Sequence, residues 1–348
     1  MSSPRLGIMA DAITSVPAKN SLGSLWWSAR HPPADPTTSF TGQTILITGA
    51  NSGLGFEAAI KFAALGAKKL ILAVRSLERG KKAKARIEER TRCSKDVIEV
   101  LQLDMARYSS IESFIQELSR LVPVVHAAVL NAGVAPPSHK ASSEGWEMAL
   151  QVNVLSTAYI GILLLPLLRQ SSRSIGRATH LEFVTSTGHG DVKIASVQGG
   201  SSLLNKVNNP DNFNFTTQYI ITKLLEMWVM MHIAAATSSS QVIVNASCPG
   251  LCKSSLGRDF SLALRVPDNI IKAILGRSAE EGSRTLVSAV TTNEKAHGGF
   301  WTHDRIAVPG VLITSEEGKE LSAQFWKEAI EILSKQNPKI ESILTGSS

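Results

Sequence analysis

Two stretches of this 348-residue chain hold residue types whose spacing could do chemistry. The first reads Tyr219-Ile220-Ile221-Thr222-Lys223. On a helix, positions i and i+4 share a face, so a phenol and an ammonium point the same way. A free tyrosine ionises near pH ~10, and a close cation favours its phenolate. Such a pair could give a proton to a substrate oxygen or take one from it; standing alone, it would read better as a coincidental helical pair. The second stretch runs from Thr44 to Gly55. Ile45-Leu46-Ile47 is a short apolar run that suits a strand buried on both faces of a parallel sheet. Gly49, Gly53 and Gly55 permit a sharp turn, and the spacing of Phe56, Ala59, Ile60 and Ala63 predicts a helix. Strand, turn and helix N-terminus together present N–H groups and a positive dipole end, where a pyrophosphate can sit.

The elements that must position these residues alternate from Gln43 onward, the signature of an α/β fold with a doubly wound parallel sheet. Strands are expected at Leu70 to Val74, Val97 to Leu103, Val124 to Leu130, Leu181 to Thr185 and Val242 to Val244. Helices are expected at Glu78 to Arg90, Ser109 to Leu121, Glu144 to Leu168 and Tyr219 to Ala236, and in the tail at Ala279 to Val290 and Ser315 to Leu333. A short strand is expected around Phe300-Trp301. Residues 188–217 lack sustained periodicity, which signals a functional loop or short elements. Residues 1–40 read as an extension outside the main fold, broken by His31-Pro32-Pro33 and Asp35-Pro36, with Trp26 and Trp27 docking on the domain surface; the alternative for these two rings is a membrane-surface contact. One domain then spans 41–348, with a substrate-side insertion at 188–217 and a C-terminal substrate region at 254–348.

The spacing of Thr48-Gly49-Ala50-Asn51-Ser52-Gly53-Leu54-Gly55 resembles that of the short-chain dehydrogenase/reductase family. The resemblance continues, in order, through Asn131-Ala132-Gly133, Asn153 in Gln151-Val152-Asn153, Ser186 in Val184-Thr185-Ser186-Thr187-Gly188, the Tyr219/Lys223 pair and Pro249-Gly250. It implies a Rossmann fold in three α/β/α layers, with a nicotinamide dinucleotide cradled by Gly49, Asn51, Ser52, Gly53, Leu54 and Gly55. By the same resemblance Asp104 binds the adenine amino group, Asn131, Ala132 and Gly133 line the cofactor, and Pro249 and Gly250 lie beside the nicotinamide carboxamide. Ser254 stands where the family usually has threonine. Ser186 hydrogen-bonds the reacting oxygen, with Thr185 its nearest rival. Tyr219 is the acid/base, Lys223 holds the nicotinamide ribose and tunes Tyr219, and Asn153 anchors a water for proton relay. Ser186 and Tyr219 are farther apart than is commonest in the family, as in its retinol-dehydrogenase-like members and fungal secondary-metabolism reductases, so the insertion must loop out for the two side chains to meet.

The second strand ends in Arg75, with no acid at its tip to meet a ribose 2′-hydroxyl. A cation there suits a 2′-phosphate and favours NADP(H) over NAD(H); the bland alternative is an ion pair with a neighbouring acid such as Glu78. Hydride transfer needs a dry pocket, and the candidate walls are Val134, Trp146, the insertion, Leu256, Phe260 and Trp301. His139 and His189 could touch a substrate, but each reads rather as a solvated loop histidine.

Composition excludes several other classes. The net charge of +7 and pI near 9.3 come largely from Lys61 to Lys95, a solvated helix face without interleaved aromatics, so no nucleic-acid partner is expected. Cys93, Cys248 and Cys252 are too few for a disulfide framework and have no second ligand pair, so they are read as structural, in a reducing and cytoplasmic setting. The run Ile160 to Leu168 is too short to span a bilayer. The resemblance also admits a homodimer through the helices holding Asn153 and Tyr219, although core packing would use the same apolar Met227, Trp228, Met230 and Met231. The resulting expectation is an NADP(H)-dependent oxidoreductase interconverting a small-molecule ketone or aldehyde and its alcohol, with an apolar substrate. The alternatives are a non-redox isomerase or cyclase on the same fold, and a silent dinucleotide-binding regulator, against which the intact Asn153, Ser186, Tyr219 and Lys223 set argues.

Overall fold

The computed structural model describes residues 21–346 except 254, 255, 257–259 and 261, so Ser254 lies outside the described residues. After helix α1 (Leu22–Arg30), strand β1 (Thr44–Thr48) is buried along its whole length and leads through the glycine turn into α2 (Gly53–Ala64). There follow β2 (Lys69–Val74), α3 (Leu77–Thr91), β3 (Ile98–Gln102), α4 (Tyr108–Leu121) and β4 (Ala127–Leu130). The second half holds α5 (Ser156–Ile175), β5 (Thr179–Val184), α6 (Leu203–Asn208), α7 (Phe215–Ala235) and β6 (Val242–Ser247). The chain then runs through α8 (Leu262–Leu275), α9 (Ala279–Ala289), β7 (Phe300–Thr302), β8 (Arg305–Ala307), α10 (Val311–Thr314), α11 (Glu316–Gln336) and α12 (Ile340–Thr345).

Among the described residues the strands form one eight-stranded sheet in the order β3-β2-β1-β4-β5-β6-β7-β8, parallel throughout except for the antiparallel β7–β8 edge pair. Strand order reverses between β1 and β4, which leaves a crevice at the carboxyl ends of these two strands. Side chains alternate across the sheet. Leu46 packs with α4, α5, α7 and α11 on one face, while Ile45 and Ile47 pack with α2, α3 and α9 on the other.

The helix expected from Glu144 starts later. The Glu147 carboxylate accepts the N–H groups of Ala149 and Leu150, and the first turns, Leu150–Leu155, are π-helical before the regular helix begins at Ser156. The span Leu150–Ile175 is long and apolar enough to cross a membrane, but 89% of its most apolar stretch is buried inside the fold. The segment 188–217 resolves into α6 and single 3-10 turns, each too short to display a helical repeat. Residues 21–40 of the extension are more ordered than their prolines suggest. Ser21 caps α1, and the wholly buried guanidinium of Arg277 donates to the carbonyls of Ser28 (2.8 Å), His31 (2.8 Å) and Pro249 (3.2 Å). Trp27 stacks on His31 at 4.4 Å between ring centroids, and Lys61 pairs with Asp35 at 2.9 Å.

Candidate active site

At the β1/β4 crevice lies a cavity of about 430 Å³. Its floor is the glycine turn. Gly49 and Gly53 adopt φ of +68° and +58°, which a side chain would strain, and a Cβ on Gly55 would lie 2.5 Å from Asn131 Nδ2. The turn is tied to β4 by Thr48, whose Oγ1 accepts the N–H groups of Asn131 (3.0 Å) and Ala132 (2.9 Å), while Asn131 Nδ2 donates to the Thr48 carbonyl (2.9 Å). Gly49, Asn51, Ser52, Gly53 and Leu54 therefore line the cavity together with Asn131, Ala132 and Gly133. Gly55 packs behind the turn rather than on the cavity wall.

One end of the cavity is lined by Arg75, Ser76, Arg79 and Asp104. Glu78 pairs with Lys82 at 2.6 Å, so the acid that could have neutralised Arg75 is engaged elsewhere. Arg79 belongs to this cluster although its charge reads in sequence as part of a solvated face; it stands in the first turn of α3, close behind the end of β2. Asp104 Oδ1 accepts the N–H of Ala106 at 3.1 Å, which fixes the carboxylate at the strand end.

Tyr219 and Lys223 line the same cavity from α7, with Pro249 facing it beyond β6. Lys223 Nζ lies 5.7 Å from the centroid of the Tyr219 ring and donates to the Val184 carbonyl (2.7 Å) and to Glu226 Oε2 (2.6 Å). The expected lowering of the phenol by the ammonium is present but outweighed: burial raises Tyr219 above its ordinary value, with Lys223 pulling the other way. A protonated phenol is thus the resting state at neutral pH.

Of the remaining candidates only Thr185 lines the cavity; Ser186, Asn153 and Gly250 are not among its lining residues. The Thr185 hydroxyl donates to the Lys223 carbonyl at 3.1 Å. Ser186 is half-buried, and its Oγ accepts the N–H of Gly188 at 3.1 Å, leaving its own proton for donation. The wholly buried Asn153 accepts from the Val134 N–H and donates to the Val134 carbonyl, both at 2.9 Å, and donates to Thr222 Oγ1 at 3.1 Å, so its carboxamide shapes the loop that follows β4. Gly250, at φ +78°, packs against Ser28 and Arg277.

Of the walls expected from the sequence, Val134 and Leu256 line the cavity, while Trp146, Phe260, Trp301 and residues 188–217 do not. The insertion packs instead against the C-terminal helices: Glu328 on α11 accepts the N–H groups of Leu203 and Leu204, both at 2.9 Å. Its place as a wall is taken by the loop Ala135-Pro136-Pro137-Ser138, Lys140, Met148 and Val152. His189 is not solvated. It is 1% exposed, its Nε2 accepts the N–H of Gly310 (2.9 Å), and its Nδ1 therefore carries the proton donated to the Ser186 carbonyl (2.6 Å). Burial pushes it down to about 4, so it stays neutral. His139 is also engaged, with Nε2 3.0 Å from the Asn208 carbonyl. Cys248 is buried as well, its sulfur accepting the N–H groups of Thr187 (3.2 Å) and Gly250 (3.4 Å).

Sheet order, glycine turn and layering define a doubly wound α/β protein of Rossmann type. A family model described as short chain dehydrogenase matches residues 43–181. A short-chain dehydrogenase/reductase of Aspergillus flavipes is 69% identical over 340 residues, covering 98% of this chain and 100% of that protein. Another, from Phaeosphaeria nodorum, is 61% identical over 338 residues, covering 97% and 100%. Among solved structures, a short-chain dehydrogenase from Sphingobium yanoikuyae in complex with NADPH has a TM-score of 0.52 at 20% identity, covering 70% of this chain and 82% of that one. The 3-ketoacyl-(acyl-carrier-protein) reductase from Brucella melitensis complexed with NADH has a TM-score of 0.57 at 19% identity, covering 75% and 96%. The chain belongs to the short-chain dehydrogenase/reductase family and is an oxidoreductase of that family.

Proposed function

We propose that the chain is an NADP(H)-dependent reductase of a ketone or aldehyde, with Tyr219 as its acid/base. The observation that carries this reading is that the glycine turn, the Arg75/Arg79 cluster and the Tyr219/Lys223 pair all line one cavity. Gly49 and Gly55 let the turn close against Asn131 and Ala132, and the turn sets the N-terminus of α2, Gly53 and Leu54, on the cavity wall, where a pyrophosphate could sit. Arg75, Arg79 and Ser76 offer guanidinium and hydroxyl donors suited to a 2′-phosphate. The structural neighbours carry NADPH in one case and NADH in the other, so the choice of NADP(H) rests on that cluster.

A bound nicotinamide would supply or accept the hydride at the substrate carbon. The chain's own residues handle the oxygen. A phenol kept protonated by burial is in the form needed to give its proton to a carbonyl oxygen during reduction. The Lys223 ammonium then stabilises the phenolate left behind. Ser186 would donate a hydrogen bond to the same oxygen, and Asn153 would support proton return from the loop after β4. Val134, Pro136, Met148 and Leu256 favour an apolar substrate and exclude water from the reacting atoms.

Nicotinamide oxidation against a panel of ketones and aldehydes tests the reading. NADPH should be consumed at least about tenfold more efficiently than NADH, and Tyr219→Phe should lower turnover by a factor of about 10² or more. Undiminished turnover in Tyr219→Phe would remove the acid/base role, and preference for NADH would remove that of Arg75.

A further inference from the structure

Lys223 keeps a full charge although only 5% of its side chain is exposed, and the anion that makes this tenable is Glu226, 1% exposed and one turn further along α7. An ammonium buried without a partner would be strongly destabilising. The two oxygens that hold Nζ, from Val184 and Glu226, are themselves fixed, one at the end of β5 and one on α7. The ammonium contacts the Glu226 carboxylate at 2.6 Å and lies 5.7 Å from the centroid of the Tyr219 ring. Glu226 follows Lys223 by three residues and Tyr219 by seven, so all three share a helical face.

The electrostatics run along the same line. Burial pushes Glu226 up to about 7, with Lys223 restraining the rise. Lys223 itself lies above its ordinary value: burial opposes its charge most strongly, but Glu226, by charge and hydrogen bond, with Tyr219 and Cys248, outweighs burial. At Tyr219, after burial, Lys223 lowers the phenol while Glu226 raises it. From outside α7, the titratable groups facing Tyr219 are Cys248 and Cys252, on the segment after β6.

We propose that Glu226 is a positioning residue acting through Lys223: it fixes the ammonium between the Val184 carbonyl and the cavity, and its charge sets how far that ammonium favours the Tyr219 phenolate. The inference rests on Tyr219 and Lys223 being the acid/base pair.

Tyrosine ionisation in the intact protein, followed by the near-ultraviolet phenolate band, tests this without any substrate. The absorbance lost in Tyr219→Phe isolates Tyr219 from Tyr108 and Tyr159, and each variant is compared with its own Tyr219→Phe counterpart. Glu226→Gln should move the Tyr219 midpoint down by about one pH unit or more. An unmoved midpoint in folded Glu226→Gln overturns the proposal. Because this variant strands a buried ammonium, the neutral pair Lys223→Met with Glu226→Gln provides a second arm. If the two charges offset each other at Tyr219, the double variant titrates within about half a unit of wild type. If Glu226 has no hold on Tyr219, it titrates more than about one unit higher, which also overturns the proposal. Failure of the acid/base reading shows separately, as turnover that survives Tyr219→Phe, whatever the titrations give.

Discussion

Glu182 sits in the middle of β5, wholly buried, with Oε1 2.5 Å from the Ser247 hydroxyl and Oε2 without a partner. Burial raises this carboxyl well above its ordinary 4.5, and the Ser247 hydrogen bond only partly opposes that. In the unfolded chain the group ionises at its ordinary value, so above that pH the folded state holds one more proton than the unfolded state. Stability must then fall as pH rises from there toward the folded value. Glu182→Gln keeps the shape and removes the proton. Its urea midpoint should match wild type near pH ~5 and exceed it near pH ~8, by about 1 kcal/mol or more in unfolding free energy. An equal offset at both pH values would mean that Glu182 is ionised inside the fold. Residues of this kind mark the limit of what the chain discloses before folding. Tyr219 with Lys223, and Gly49 with Gly53, are legible because their partners are close in sequence and their geometry is local. The burial of His189 depends on Gly310, 121 residues away, and the work of Thr48 depends on Asn131, 83 residues away, so no local pattern could announce either.

The extension shows the same distinction for whole elements. Its prolines were visible, but α1 and the strap that follows it are held by side chains from the far end of the chain: Arg277, Arg284 donating to the Pro33 carbonyl at 3.2 Å, and Asp304 accepting the Ala34 N–H at 2.8 Å. Arg277 also holds Pro249, a residue of the cavity wall, so the strap and the cavity edge share one buried guanidinium. Arg277→Met fills the space but removes donors to three carbonyls, a loss of about 2–4 kcal/mol. Limited proteolysis should then cut within residues 21–40 at least about tenfold faster than in wild type. An unchanged rate would show that Trp27, Lys61 and Arg284 hold the strap unaided. The strands buried on both faces were legible as apolar runs, and the core helices as 3.6-residue periods. Elements of six residues or fewer, such as α6 and β8, offer too few positions for a period to register. The π-turn at Leu150–Leu155 differs from regular helix only in hydrogen bonding, which side-chain pattern does not encode.

On the side away from the sheet, α5 and α7 carry the faces through which the resemblance admits pairing of two chains. Here the chain covers them itself. Trp228 packs against Phe325 of α11 at 5.8 Å and donates from Nε1 to the Leu312 carbonyl at 3.2 Å. His232 stacks on Trp326 at 4.8 Å. Arg169 of α5 donates to the carbonyls of Ile343 (2.5 Å) and Leu344 (2.8 Å) in α12. Met227 and Met230 are correspondingly buried within one subunit's core. Pairing through this face would require α11 and α12 to leave it and expose Phe325, Ala329 and Leu333, each 0% exposed. Uncovering Phe325 and Leu333 alone costs several kcal/mol, roughly 1.5–3 for each, before any interface forms. Light scattering at micromolar concentration should therefore give the mass of one chain, 37.3 kDa. Introducing charge at the covered face, as in Phe325→Glu, should unfold or aggregate the protein rather than split a dimer. A mass of two chains that Phe325→Glu halves, with each half still folded, would instead place the subunit contact on α7 and make the C-terminal helices a movable cover.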